Sequence, residues 1–272
     1  MLRPARALLV AWALACARDE RPVDIPLEPY IGRLVTVDAL AGTDTLRLIF
    51  DTGGGETIIS PRAARRLGCT PSGRSIGFRM NGERIATQMC PSVTLIIGGV
   101  PFAHSRIAVW DVAAVLPQGA PPVDGVLSLK TFAAQPFTLV LAEGRLTLET
   151  PVSVRRRVTE MTRLTSRIAT GTDGDELTVF VRGAVRDTAW FLLDSGNLDV
   201  VQIAPHVAGS TTPADTWESE LRLDGIPAVR TTFRQRDMIY DGALSEAVLR
   251  MWTLTFDLAD NAVWIARSGS SH

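Results

Sequence analysis

Two ten-residue stretches, 143 positions apart, constrain this chain more than any other feature. Asp44 to Gly53 reads DTLRLIFDTG and Asp187 to Gly196 reads DTAWFLLDSG, and the two align without a gap. Each is an apolar run that ends in an aspartate, a hydroxyl residue and a glycine. A second correspondence follows downstream. DGVLSLKTFAAQPFTLVLAEGRLTLE begins at Asp124, and DGALSEAVLRMWTLTFDLADNAVWIA begins at Asp241. Both run Asp-Gly, two apolar residues, Ser, a short helix-like piece, then strand, turn and strand. The chain is therefore an internal duplication. Each half places one aspartate, Asp51 or Asp194, at the end of an apolar strand.

Strand signals dominate the rest of the chain. RLVTVDAL and DTLRLIFD are short, β-branched and apolar, with a Gly/Thr/Asp turn between them. SIGFRMNGERIATQ predicts a hairpin about Asn81-Gly82. SPRAARRLG predicts a short helix with Ser60 as N-cap, Pro61 at the first helical position and Gly68 past its end. Long amphipathic helical patterns are absent, so the expected class is all-β. With 46% hydrophobic and 21% charged residues, the 272-residue chain can build a substantial core. A net charge of -1 gives no basic excess that would argue for nucleic acid. The one dense basic run, Arg155-Arg156-Arg157, reads as a solvated linker. The expected organisation is a first lobe over 28–150, an inter-lobe segment over 151–174, a second lobe over 175–267 and a polar tail over 268–272.

Residues 1–16 read as an export signal. Arg3 and Arg6 precede the apolar run Ala7 to Ala15, which is about half the roughly 20 residues that a membrane helix needs. Cys16 follows, and ALAC resembles the lipobox of bacterial lipoproteins, in which the cysteine is lipidated. An ordinary signal peptide with an incidental cysteine is the alternative. Residues 17–27 are polar and Pro-containing, as a tether would be. The expectation is an exported protein, periplasmic or held at the cell envelope by a lipid on Cys16. In that compartment Cys69 and Cys90 can pair, and closing their loop would stabilise the fold by about 3 kcal/mol. Two buried thiols are the alternative. His104, His206 and His272 are scattered and form no metal motif.

The duplicated pattern resembles the aspartic proteases, the bilobal pepsin-like and the single-lobed retropepsin-like families. The residues that carry it are Phe50-Asp51-Thr52-Gly53 and Leu193-Asp194-Ser195-Gly196, supported by Asp124-Gly125-Val126-Leu127-Ser128 and Asp241-Gly242-Ala243-Leu244-Ser245. The resemblance implies two β-barrel lobes with short helices, related by a pseudo-twofold axis. It implies a catalytic pair, Asp51 and Asp194, in the cleft between them. Thr52 and Ser195 would cross-brace the two loops, and Gly53 and Gly196 would let backbone approach the carboxylates. A flap hairpin would close over the substrate, with Phe78, Met80, Asn81 and Gly82 at its tip. The implied substrate is a peptide or protein, and no cofactor is needed. Asp124 and Asp241, each before a glycine, are expected in turns.

The chemistry asks for this arrangement. Hydrolysing an amide needs a base to activate water and an acid for the carbonyl oxygen, and two carboxyl groups sharing one proton supply both. Several positions depart from the family. The flap has no tyrosine. Ser128 and Ser245 stand where the family has glycine. Gly54 and Asn197 stand where it has a small Ser, Thr or Ala, and Asn197 is the bulkier. The second lobe has 47 positions between its motifs against 73 in the first, too few for a full second flap. An endopeptidase is the first expectation. A binding module of the same fold with an impaired dyad is the second. A glycosidase is the third, with carboxylates set wider apart.

Overall fold

A computed structural model describes residues 21–171, 173–209 and 215–269. The export signal, Cys16 and residues 270–272 lie outside the described residues. Within them, strands form three sheets. The first-lobe sheet has eight strands and curls back on itself, because Val35–Ala41 also pairs with Arg84–Ile97. The second-lobe sheet has seven strands and closes through Leu177–Ala184 and Thr216–Leu223.

The duplication is visible in the pairing. In the first lobe Asp44–Asp51 runs parallel to Gly125–Ser128, which is antiparallel to Ile58–Ile59, which is parallel to Val100–Val109. In the second lobe Thr188–Leu193, Gly242–Leu244, Val201–Ile203 and Val229–Gln235 repeat those relations in the same order. The strand that carries each aspartate is thus a central strand. Leu46, Leu48 and Phe50 of one strand and Phe191 and Leu193 of the other enter the main core, all almost fully buried, while Ile49 and Leu192 are buried in smaller clusters. The alternate positions Leu46, Leu48 and Phe50 fix which face meets the main core, and so the register that delivers the aspartate to the strand end.

A third sheet joins the two expected barrel-like lobes. Its six strands come from both halves: Val23–Pro26, Arg145–Leu148 and Phe137–Val140 from the first, then Trp252–Asp257 and Ala262–Arg267 from the second, with Thr162–Arg163 at the edge. The central seam pairs Phe137 with Phe256 and Thr138 with Thr255. The expected boundaries are corrected accordingly. Residues 17–27 are not all tether, since Val23–Pro26 is an edge strand with Ile25 buried; a proline is tolerated at the end of such a strand. Nor is 151–174 only a linker. It contains the capped helix Pro151–Arg157 and the strand Ser166–Thr170, which opens the second-lobe sheet.

The short helix Pro61–Arg66 forms as expected, with the Ser60 hydroxyl accepting from Ala63 N–H and Gly68 in the left-handed region. Cys69 and Cys90 are joined by a disulfide, which ties the end of this helix to the long strand Arg84–Ile97.

Candidate active site

Asp51 is the last residue of its strand and Asp194 follows directly on its own, so both carboxyl groups emerge where the lobes meet. The loops behind them are cross-linked by a nearly symmetric brace. Thr52 N–H donates to Ser195 Oγ at 2.9 Å, and Ser195 N–H donates to Thr52 Oγ1 at 2.9 Å. The Thr52 hydroxyl continues to Leu193 O at 2.8 Å, and the Ser195 hydroxyl to Phe50 O at 3.4 Å. Both residues are buried, so each backbone donor depends on the opposite lobe for its acceptor.

The glycines after them are required by distance. A Cβ on Gly53 would lie 2.4 Å from Asp194 Cγ, and one on Gly196 would lie 2.7 Å from Asp51 Oδ2. Each glycine packs against the carboxyl group of the other lobe. That close approach lets Gly196 N–H reach both acids, Asp194 Oδ1 at 2.9 Å and Asp51 Oδ1 at 3.1 Å. Asp51 Oδ1 also accepts from Gly53 N–H at 2.9 Å, and Asp194 Oδ1 from Asn197 N–H at 3.0 Å. The two carboxyl groups are within hydrogen-bonding reach of each other.

This setting separates their proton affinities. Burial raises Asp51 above the usual carboxylate range, and the N–H groups of Gly53, Gly196 and Gly54 oppose that rise. Asp194 is pushed up further, by burial first and then by the charge of Asp51. A close pair of like charges resists double ionisation, so the two groups titrate as a unit.

The departures from the family pattern are accommodated. The Asn197 side chain turns away from the pair: its amide donates to Val200 O at 3.2 Å, and its carbonyl accepts from Asp199 N–H at 3.1 Å. Ser128, beside Asp51 in the sheet, caps the following turn through Lys130 N–H and sits 3.1 Å from the Thr57 hydroxyl. Asp124 and Asp241 do not join the pair. They accept from the equivalent backbone donors Arg47 N–H at 3.1 Å and Trp190 N–H at 2.9 Å.

A cleft of about 710 Å³ opens over the pair, with Asp51 and Asp194 on its floor. Strands Ser72–Phe78 and Arg84–Ile97 form the hairpin above it, and Phe78 and Met80 line the cleft. Asn81 and Gly82 do not line it and serve the turn instead. The Asn81 side chain accepts from Glu83 N–H, and Gly82, at a φ of 82°, donates to Arg79 O. Neither Met80 nor Asn81 has a positive φ, so the turn is followed by a left-handed glycine and is not the two-residue mirror-image type. Met80 O accepts from Ile239 N–H at 3.0 Å, so the tip rests on the second lobe. Among the described residues the second lobe has only the hairpin of Thr216–Leu223 and Val229–Gln235 at the comparable place.

Some cleft residues were not anticipated. Glu56, Thr87, Trp110, Arg167, Glu176 and Tyr240 all line it. Burial, and then the charges of Glu176 and Asp194, push the Tyr240 hydroxyl up. Glu56 directly follows the first glycine run, which could have marked it. Thr87 lies in the hairpin that Asn81-Gly82 marked and Tyr240 directly precedes Asp241-Gly242, whereas Trp110, Arg167 and Glu176 have no motif of their own. No group of three or more His, Cys, Asp or Glu among the described residues is placed to hold a metal ion.

Comparison with known proteins agrees with this geometry. Residues 35–131 match the family model of an aspartyl protease. Among solved structures, the chain is similar to basic 7S globulin from soybean, at 11% identity and a TM-score of 0.57, covering 90% of this chain and 94% of that one. It is also similar to conglutin gamma, a basic 7S globulin from lupine seeds, at 10% identity and a TM-score of 0.59, covering 93% and 96%. No curated protein matches it by sequence. The first lobe thus matches an aspartyl-protease model, and the chain as a whole has a two-lobed, aspartic-protease-like fold.

Proposed function

We propose that this chain is an aspartic endopeptidase. The observation that carries the reading is the carboxyl pair: two aspartates from different lobes, their carboxyl groups facing each other and sharing one backbone donor, Gly196 N–H. Asp51, with the three glycine N–H groups around it, is the better carboxylate. Asp194 is the better acid. Water bound between them would lose a proton to Asp51 as its oxygen bonds to the carbonyl carbon of a peptide. The Asp194 proton would pass to the carbonyl oxygen. Collapse of the resulting diol would break the C–N bond, the leaving amine taking the proton from Asp51 while a diol hydroxyl returns its proton to Asp194. The cleft lies over the pair, and apolar residues such as Ile49, Trp110 and Val126 line its first-lobe wall. Residues 1–16 support placing the activity at the cell envelope, with Cys16 as the point of attachment.

A second reading, a peptide-binding module without turnover, is favoured by one observation. Met80 packs with Phe180, Leu192 and Tyr240 of the second lobe, in the space over the pair. A substrate would have to lift the tip.

One assay separates them. The protein without residues 1–16 is incubated with a diverse peptide mixture from about pH 3 to about pH 8, beside Asp51→Asn. The expected result is cleavage by the unmodified protein and none by the variant. Equal cleavage by both, or none by a folded protein at any pH, sinks the peptidase reading.

A further inference from the structure

The second-lobe loop between Ser166–Thr170 and Leu177–Ala184 reaches across to the first lobe. Leu177 N–H donates to Gly55 O at 2.9 Å, beside the Asp51 loop. The contact brings four acids together: Glu56 from the first lobe and Asp173, Asp175 and Glu176 from the second. Arg106 takes the two aspartates, bonding Asp173 at 3.0 Å and pairing closely with Asp175. The two glutamates are left over. Both line the catalytic cleft, both are half-buried, and no hydrogen bond or ion pair from a described residue reaches either carboxylate. Burial and the neighbouring acids raise both, Glu56 to about 7, with only Arg106 opposing the rise at Glu56.

A separate observation points to the same place. Thr87, 5% exposed, has a hydroxyl with no hydrogen-bond partner, and it too lines the cleft. It lies opposite Ser75 on the flap, while Gly77 lies opposite Ile85. Alternation along the strands puts Thr87, Ile85 and Gly77 on one face of the hairpin. Glu176 meets that face: a Cβ on Gly77 would lie 3.5 Å from its Oε1. The missing side chain at Gly77 leaves the space into which the carboxylate extends, diagonally across from Thr87 at a spacing of roughly 7–8 Å between Cα atoms. Glu176 and the Thr87 side chain thus share one face of the hairpin, and Glu56 lines the same cleft, with the Thr87 hydroxyl buried beneath its surface.

We propose that Glu56, Glu176 and Thr87 form a subsite for a basic side chain, lysine or arginine, of the bound peptide. The proposal rests on the peptide-substrate reading and names its specificity. An ammonium group has three donors and a guanidinium five, and neither accepts a hydrogen bond. The subsite offers acceptors from three side chains. The cleft's own cations do not satisfy it: Arg167 stacks on Phe180 and Trp190, 5.1 Å and 4.9 Å from the ring centroids, and Arg79 pairs with Glu83. A metal ion is a poorer occupant, since the acids do not converge as ligands.

The test uses peptide pairs that differ only by lysine against norleucine, scanned through each position flanking the cleaved bond. Two readouts are taken: kcat/KM with the active protein, and affinity with Asp194→Asn. One position is expected to favour lysine by about tenfold to a hundredfold, the range of a charge-assisted hydrogen bond. Glu176→Gln should bring that ratio close to one in both backgrounds. Because the readout is a ratio, a general loss of activity in Glu176→Gln cancels. Cleavage with no lysine-preferring position overturns the subsite and leaves the peptidase standing. A preference that survives in Glu56→Gln/Glu176→Gln also overturns it. Lysine-selective binding by Asp194→Asn without cleavage by the parent supports the subsite and removes the peptidase. Neither cleavage nor selective binding overturns both.

Discussion

Asp194 is 9% exposed, faces a second carboxyl group, and is held more readily protonated than an ordinary aspartate by that burial and then by the Asp51 charge. The sign of its effect on stability follows. A folded-state value above the unfolded value of about 3.9 means that the folded protein binds the proton more tightly. Its contribution is fully present below the unfolded value and is lost as pH rises through the folded one. Asp194→Asn removes the ionisation and keeps an oxygen for the N–H groups of Gly196 and Asn197. The variant should therefore melt higher than the parent at pH 7, with the gap narrowing as pH falls toward about 4. A calorimetric pH series checks this, and a gap that stays constant or widens on acidification contradicts the assignment. Single residues also differ in how legible they were. Asp51 and Asp194 could be read because a carboxylate at the end of an apolar strand occurred twice. Glu56 was marked only by its place after the glycine run, and the repeat gave no support, since Asp199 at the comparable place is paired with Arg234. Thr87 and Glu176 acquire meaning only where a flap strand and a second-lobe loop meet.

Between elements, the brace is the connection whose loss has the clearest consequence. Thr52→Val keeps the shape but removes an acceptor for Ser195 N–H and a donor to Leu193 O, both in a buried setting. A buried donor left unpaired costs about 1–3 kcal/mol. The expected loss is about 2 kcal/mol by urea unfolding, with lower kcat and a smaller change in KM, because the pair is misplaced more than the cleft is reshaped. Ser195→Ala should cost about as much, and the double variant less than the sum, since the two hydroxyls serve one network. An unchanged kcat in a destabilised Thr52→Val would make the brace purely structural. The brace could be anticipated because Thr52 and Ser195 follow equivalent aspartates. Other elements were harder to read. Asn81-Gly82 marked the hairpin but not its turn, because a left-handed glycine serves more than one turn type. Val23–Pro26 was obscured by its prolines and by lying 119 residues or more from its partner strand.

The whole molecule is held together by what the repeat pattern did not reveal, the sheet built from both halves. Its pairing is long-range: Phe137 lies against Phe256, 4.7 Å apart and nearly parallel, and the Thr138 and Thr255 hydroxyls bond at 2.9 Å. Alternation within a strand announces that a face will be buried but not which distant strand will cover it. Two similar halves pointed to two β-barrel lobes but not to the strands that each half leaves for the other to complete. The lobes also exchange loops at the site. Arg33 of the first pairs with the buried Glu246 of the second, and Leu177 of the second bonds Gly55 of the first. Lobes coupled in this way should unfold together. Calorimetry of the protein is expected to give one transition, with the van't Hoff and calorimetric enthalpies equal. Phe256→Ala, which empties a fully buried ring site at the seam, should lower the stability of that single transition by about 3–5 kcal/mol. Separately expressed lobes would each expose half of the seam, Phe137 on one and Phe256 on the other, and should show no cooperative melting alone. Two resolved transitions, with only the second lobe's shifted by Phe256→Ala, would mean that the shared sheet joins two independent domains and that the aspartate pair is assembled by docking.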